Sequence, residues 1–218
     1  GKPQPELEVR VVDLNDNDVL VGESGEMLLR HSAQTPRKWA FLSYLNKSDI
    51  TEDVWRGGWF HTGDTVYQDK SGMIYFVDRK KNIIRRSGEN IAAAEVEAVI
   101  QEHSAVAQVT CIAVTDELRD EEVFTCIVPA TQTQTSEATA LDIFNHCFNR
   151  LAYYKAPGWI LFVESLPVTA TQKVLKHKIF SADVDPRKQE GVFDLRHFKK
   201  RTTRTQFLKS APNTKNSK

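Results

Sequence analysis

Apolar and polar positions alternate in short runs over the first third of the chain. Leu7-Glu8-Val9-Arg10-Val11-Val12-Asp13 and Glu26-Met27-Leu28-Leu29-Arg30 predict strands over 7–13 and 26–30. The polar run Asn15-Asp16-Asn17-Asp18 and a second turn near Gly22 and Gly25 separate them. Residues 31–58 keep no sustained period and are expected to be irregular. Another strand pair is predicted at 64–68 and 73–77, with Asp69-Lys70-Ser71-Gly72 as its hairpin turn. Residues 1–78 therefore read as a β-rich unit.

The pattern changes after Asp78. A charged run, Arg79-Lys80-Lys81-Asn82, interrupts the strands, and the boundary is placed at 78–82 as a hinge. Residues 82–86 and 88–91 suggest a small hairpin around Ser87-Gly88. Val96, Val99 and Ile100 share one face of a helix predicted near 92–103. Strands near 106–114 and 122–128 are almost continuously apolar, as in a sheet covered by helices. Leu141, Phe144, Phe148 and Leu151 recur at helical spacing, so a second helix is predicted over 137–152 with Ser136 as N-cap. Ala156-Pro157-Gly158 ends that unit, and 159–163 is a further strand. The fold class expected is α+β: a small β-rich part over 1–78, a compact α+β domain over 79–185, and a basic tail over 186–218. The last ~25 residues lack periodicity and are expected to be disordered.

Charge refines the picture of the tail. The 29 basic and 29 acidic side chains balance overall. After Asp194 there is no acidic residue, while Arg196, Lys199, Lys200, Arg201, Arg204, Lys209, Lys215 and Lys218 accumulate. Such a tail can touch nucleic acid, anionic lipid or phosphate-rich ligands, but a solvated charged segment is the commoner case, and no nucleic-acid partner is expected. Cys111, Cys126 and Cys147 form no CxxC pair, which points to an intracellular, reducing compartment, with the cytoplasm favoured. No apolar run reaches membrane-spanning length. The chain starts on Gly1, not Met, and reads as the middle of a longer protein.

Four places carry candidate chemistry. Asp64 lies in a Thr62-Gly63-Asp64 turn, where a carboxylate can accept both hydroxyls of a ribose; a turn-capping role is the plainer alternative. Arg79 offers fixed, always-charged donors to ribose or phosphate oxygens, or pairs with Asp78 or Asp64. Ser87-Gly88-Glu89-Asn90 forms a tight turn lacking bulk at Gly88, and Arg85 and Arg86 beside it can meet phosphates or water. Lys173, on the segment after Pro167, reads on local composition as a surface lysine. The histidines show no metal-ligand spacing, and no phosphate-binding loop of the Walker type is present.

Taken together, residues 1–180 resemble the carboxyl-terminal part of the adenylate-forming, AMP-binding superfamily of acyl-CoA synthetases and luciferase-like enzymes. Gly57 to Asp64 (GGWFHTGD) is similar to one of its motifs, and Phe76 to Ile84 with Ser87 to Asn90 and Glu95-Val96-Glu97 to its hinge motif. Leu151 to Pro157 and Leu166 to Lys173 resemble its last two. The combination of FVDRKKNIIRRSGEN with LRDE resembles most the carnitine/crotonobetaine-CoA ligase branch. The resemblance implies that a carboxylic acid attacks ATP to give an acyl adenylate, and that coenzyme A then displaces AMP. It implies ATP, Mg2+ and coenzyme A as co-reactants, and an upstream amino-terminal domain holding the acyl pocket and the phosphate-gripping loop. By position, Asp64 and Arg79 would bind the nucleotide, Lys81 would be the hinge pivot, and Lys173 would be the catalytic lysine of adenylation. Gly88, Glu89, Arg119 and Lys155 would line the coenzyme A path, and residues 79–185 would be the mobile lid. Two departures stand out: Gln172 and Asp120 occupy positions where the family commonly has glycine.

Other readings stay open at this point. One is an adenylation domain loading a carrier protein, or a luciferase-like oxidation. Another is a lid acting alone as a non-catalytic binding module.

Overall fold

The computed structural model describes residues 1–38 and 43–200. The chain divides into two compact units between Lys81 and Asn82.

In the first unit, β1 (Glu8–Val12), β2 (Ser24–Arg30), β3 (Phe60–Gln68) and β4 (Ile74–Arg79) form an antiparallel sheet in the order β1-β2-β3-β4. Val12, Leu28, Trp55 and Val66 make its buried centre. The β3–β4 turn is held by Asp69, whose Oδ1 accepts from the amides of Ser71 (2.8 Å) and Met73 (3.0 Å).

The region expected to be irregular contains a helix, α1 (Ser48–Val54), while residues 39–42 lie outside the described residues. No apolar stripe announced α1. Its one buried residue is Thr51, whose hydroxyl donates to the Lys47 carbonyl (2.8 Å) and accepts from the Tyr44 amide (3.0 Å). Polar satisfaction, with Trp55 buried just beyond, replaces the hydrophobic face that periodicity looks for.

A second correction concerns Thr62-Gly63-Asp64. It is a bulge inside the long strand β3 and not a turn between elements: the β2–β3 register shifts between Glu26 and Leu28. Gly63 takes φ 69, which suits glycine. Its amide, released from the ladder, donates to the buried Glu26 carboxylate (3.1 Å).

In the second unit, β5 (Ile83–Arg86) and β6 (Glu89–Ala92) form a hairpin leading into α2 (Ala93–Gln101). Then come β7 (Val106–Asp116), β8 (Asp120–Pro129), α3 (Glu137–Arg150), β9 (Trp159–Phe162) and β10 (Phe193–Asp194). Among the described residues the sheet has six strands. β8 is central. β7 pairs antiparallel along it, β9 runs parallel to Phe124–Ile127, and β5 meets it at Asp120. Ser136 caps α3 by accepting from the Thr139 amide (3.3 Å).

One core cluster joins Val96 and Ile100 of α2, and Ile143, Phe144 and Phe148 of α3, to Ile84, Val123 and Ile127 of the sheet. A second cluster joins Phe124, Trp159 and Leu161 to Leu166, Val174 and Phe180. The sheet is thus apolar on both faces, as the continuous apolar runs of β7 and β8 required. The three cysteines are buried and free, and burial pushes the thiols of Cys126 and Cys147 up to about 12.

The segment expected to be basic tail begins folded. β10 pairs with β9, Leu195 is buried, and Phe198 lies 6.0 Å from the Phe144 ring. The expectation of disorder from about residue 194 therefore does not hold for residues 194–200; beyond Lys200 it falls outside the described residues. Periodicity missed this stretch because Phe193, Leu195 and Phe198 anchor it one at a time, among charged neighbours. No helix among the described residues is long and apolar enough to cross a membrane.

Candidate functional site

The sequence candidates fall on both units. On the first, the β3 bulge and the strand β4 bring two of them together. Asp64 and Arg79 are register partners, and the Arg79 guanidinium donates to the Asp64 carboxylate in an ion pair. Arg79 is about half exposed and Asp64 a quarter exposed, so both groups remain open to a ligand. Gly63 packs beneath them: a Cβ there would lie 3.5 Å from Arg79 Nη2.

Glu26 holds this corner from below. It accepts from the Gly63 amide and from Lys80 Nζ (2.6 Å). Burial raises its carboxyl, but the hydrogen bond and charge of Lys80 outweigh that and hold it below the usual carboxylate value. Sequence reasoning missed Glu26; its only signal is an acid placed beside Met27 and Leu28 in an apolar strand. Lys81, the expected pivot, follows directly at the end of the unit.

On the second unit, two turns meet. Ser87 (φ 50) and Gly88 (φ 82) are the two central residues of the β5–β6 hairpin, whose flanking residues Arg86 and Glu89 are paired. Both take the left-handed conformation that such a two-residue turn demands. Open space surrounds Gly88 where a Cβ would stand. The Ser87 amide donates to the Arg119 carbonyl (2.9 Å) in the β7–β8 turn, and the Arg85 amide donates to Glu121 (2.7 Å). Gly88, Glu89 and Arg119 therefore belong to one neighbourhood. Asp120 takes φ 65, which explains why glycine suits that position. Lys155 is held elsewhere, by both carboxylate oxygens of Glu95 on α2 (2.6 and 2.7 Å). Arg86 is not available to a phosphate: its side chain is buried against Glu122.

Lys173 sits apart from these turns in the chain, on a hairpin of its own. Val168 and Val174 form a bridge, and the Thr169 amide donates to the Lys173 carbonyl (2.8 Å). Gln172, just before it, takes φ 64, the conformation for which glycine is the usual residue. The Lys173 side chain is exposed and makes no ion pair with a described residue. Val174 packs into the second core cluster, and Lys176 anchors the hairpin's far side through Glu97 (2.8 Å) and the Cys111 carbonyl (2.9 Å). An anchored hairpin thus carries an exposed lysine just past its turn. Among the described residues no group of three or more His, Cys, Asp or Glu could hold a metal ion.

Residues 95–173 match the AMP-binding enzyme C-terminal domain, and the chain carries that domain. Over most of its length it is related to AMP-forming acid–CoA ligases. The crotonobetaine/carnitine–CoA ligase of Proteus mirabilis is 34% identical over 177 residues, covering 81% of this chain and 33% of that protein. The long-chain-fatty-acid–CoA ligase of Salmonella typhimurium is 32% identical over 179 residues, covering 82% and 30%. Among solved structures, an anthranilate CoA ligase in complex with anthranoyl-AMP matches with a TM-score of 0.67 and 32% identity, over 82% of this chain and 33% of that one. The o-succinylbenzoate CoA synthetase of Bacillus subtilis, in complex with its acyl-adenylate, matches with a TM-score of 0.68 and 29% identity, over 84% and 35%. The chain spans about a third of the length of the curated relatives it matches.

Proposed function

We propose that this chain is the carboxyl-terminal portion of an ATP-dependent acyl-CoA ligase. The observation that carries the reading is Lys173, the last residue of the matched domain, exposed just past the turn of an anchored hairpin. In the first half-reaction a carboxylate oxygen attacks the α-phosphorus of ATP, and pyrophosphate leaves. Asp64 accepts the ribose hydroxyls, Arg79 donates to ribose or phosphate oxygens, and the Lys173 ammonium offsets the charge that develops between carboxylate and α-phosphate. In the second, the thiol sulfur of coenzyme A attacks the acyl carbon and AMP leaves. Gly88 leaves the pantetheine arm a path clear of a side chain, while Arg119 supplies a cation for its phosphates and Lys155 a second one on release from Glu95. Lys81 is the pivot about which the second unit changes its presentation between the two steps.

The relatives act on crotonobetaine or carnitine and on long-chain fatty acids, so the class they share is a carboxylic acid. The crotonobetaine/carnitine branch is the nearest expectation for this chain. Mg2+ would arrive with ATP; among the described residues no acidic or histidine cluster could hold it. The acyl pocket and the phosphate-gripping loop belong to an amino-terminal part beyond these residues. The isolated 218 residues are therefore expected to form no acyl adenylate.

The test uses the protein that joins this chain to its amino-terminal part. Lys173→Ala should sharply depress acid-dependent ATP–pyrophosphate exchange while leaving thioester formation from supplied acyl adenylate largely intact. Equal loss of both half-reactions would overturn the role given to Lys173. Supplying free coenzyme A or a carrier protein as acceptor separates a CoA ligase from a carrier-loading enzyme.

A further inference from the structure

The segment after the matched domain makes a contact that the reaction as described does not use. Lys199 enters the core and donates to Glu122 Oε1 (2.5 Å), while Arg86 Nε donates to Glu122 Oε2 (2.7 Å). The three side chains are 0%, 1% and 4% exposed. Burial lowers the Lys199 ammonium to about 8, and the Glu122 carboxylate beside it opposes that shift. Glu122 packs closely on the Gly158 backbone: a Cβ on Gly158 would come within 2.4 Å of Glu122 Cγ.

The location of this triad gives it meaning. Arg86 is the last residue before Ser87–Gly88, and it pairs in register with Asp120, the residue after Arg119. Glu122 lies two residues beyond. The same C-terminal segment also grips the other flank of the β7–β8 turn. Arg196 Nη1 donates to Asp116 (2.8 Å), and the Arg196 guanidinium covers the Trp159 ring at 4.3 Å. Leu195 is buried and its amide donates to the Gly158 carbonyl (2.9 Å), which fixes the segment just before the two cations. One stretch of chain therefore clamps both strands that present Arg119, and through Arg86 it clamps the strand that presents Gly88.

We propose that Lys199 is a positioning residue for the thioester-forming half-reaction, locking the Ser87–Gly88 and Leu118–Asp120 turns in one fixed relation through Glu122 and Arg86. The proposal rests on the coenzyme A role given above to those turns. Removing the ammonium leaves Glu122 with Arg86 and the Val123 amide (2.9 Å) but without its second buried cation, and the carboxylate must shift or draw in water. Arg86 follows Glu122, and the two turns lose their register. Lys173, on its separately anchored hairpin, is unaffected.

Two measurements test this. In the protein joined to its amino-terminal part, Lys199→Met should raise KM for coenzyme A by about tenfold to a hundredfold, as misplaced positioning groups do. ATP–pyrophosphate exchange should stay within about twofold of wild type, because the adenylation groups keep their places. Lys199→Arg should restore much of the loss. Arg196→Gln, a change on the half-exposed side of the clamp, should move KM in the same direction by less and serves where Lys199→Met does not fold. An unchanged KM for coenzyme A in a folded Lys199 or Arg196 variant, or a parallel fall of both half-reactions, would overturn the proposal. The second measurement is hydrogen exchange on the 218-residue chain. The Ser87 and Arg85 amides should exchange faster in the Lys199 and Arg196 variants, with α3 unchanged. That readout needs no coenzyme A, so faster exchange beside absent thioester formation in the wild-type protein would sink the functional reading and spare the clamp. Unaltered exchange would sink the clamp itself.

Discussion

Asp64 and Arg79 stand opposite one another on adjacent strands, joined as register partners and as an ion pair. Arg79 is about half exposed, so solvent screens the pair, and its worth to folding is at most about 1 kcal/mol. A pair that adds so little stability, placed over a glycine bulge fixed by a buried acid, is suited to a ligand. Asp64→Ala and Arg79→Ala should each leave unfolding of the first unit nearly unchanged by chemical denaturation. In the longer protein each should weaken ATP use strongly. A large loss of stability with normal ATP–pyrophosphate exchange would make the pair a structural fastener.

Glu26 supplies the pH dependence of the same corner. Its folded-state value lies below the ordinary 4.5, so the unfolded chain takes up the proton first as pH falls. Its contribution is complete above pH 4.5 and is lost as pH falls through the lowered value. Glu26→Gln should cost about 1–3 kcal/mol at neutral pH, as expected for losing charge-assisted hydrogen bonds. It should also flatten the acid limb of the stability profile. Urea denaturation of the wild type and the variant between pH 3 and pH 7 (an experimental range of roughly this span) checks both points.

Gln172 pays a backbone penalty beside Lys173. Its φ of 64 is costly for a residue with a Cβ, on the order of 1–2 kcal/mol. Gln172→Gly should relieve that strain, partly offset by the greater freedom of glycine in the unfolded chain. Slower hydrogen exchange at the Thr169 and Gln172 amides, which close the hairpin, is the expected outcome. Faster exchange would show that the Gln172 side chain contributes more than its backbone loses.

Gly158→Ala is expected to be far more disruptive than a methyl group suggests. The new Cβ would overlap Glu122 Cγ, and Glu122 is held by two cations. Overpacking of this kind costs about 1–3 kcal/mol, and displacing the buried carboxylate adds to it. A thermal midpoint equal to wild type would show that the triad yields easily.

The sequence determined most of the elements by itself. The runs of β7 and β8, the stripe on α3 with its Ser136 cap, and the Ser87–Gly88 hairpin follow from local preferences that act over a few residues. The motifs around Asp64, Arg79, Gly88 and Lys173 were equally visible, because each depends on residue order along one short stretch.

What only the tertiary structure decided are the partnerships made by long-range polar groups. Nothing in the charge pattern distinguishes Lys199 from its neighbour Lys200, yet Lys199 is buried on Glu122 and Lys200 is exposed. Arg85 and Arg86 read alike in sequence, and burial on Glu122 removes only Arg86 from any ligand. Glu26 holds a bulge 37 residues away. Burying a charge is unfavourable until an opposite charge arrives with it, and that arrival depends on how the sheets bring distant strands together. Local pattern records which face of a strand avoids water, and it carries no record of which buried cation will meet which acid.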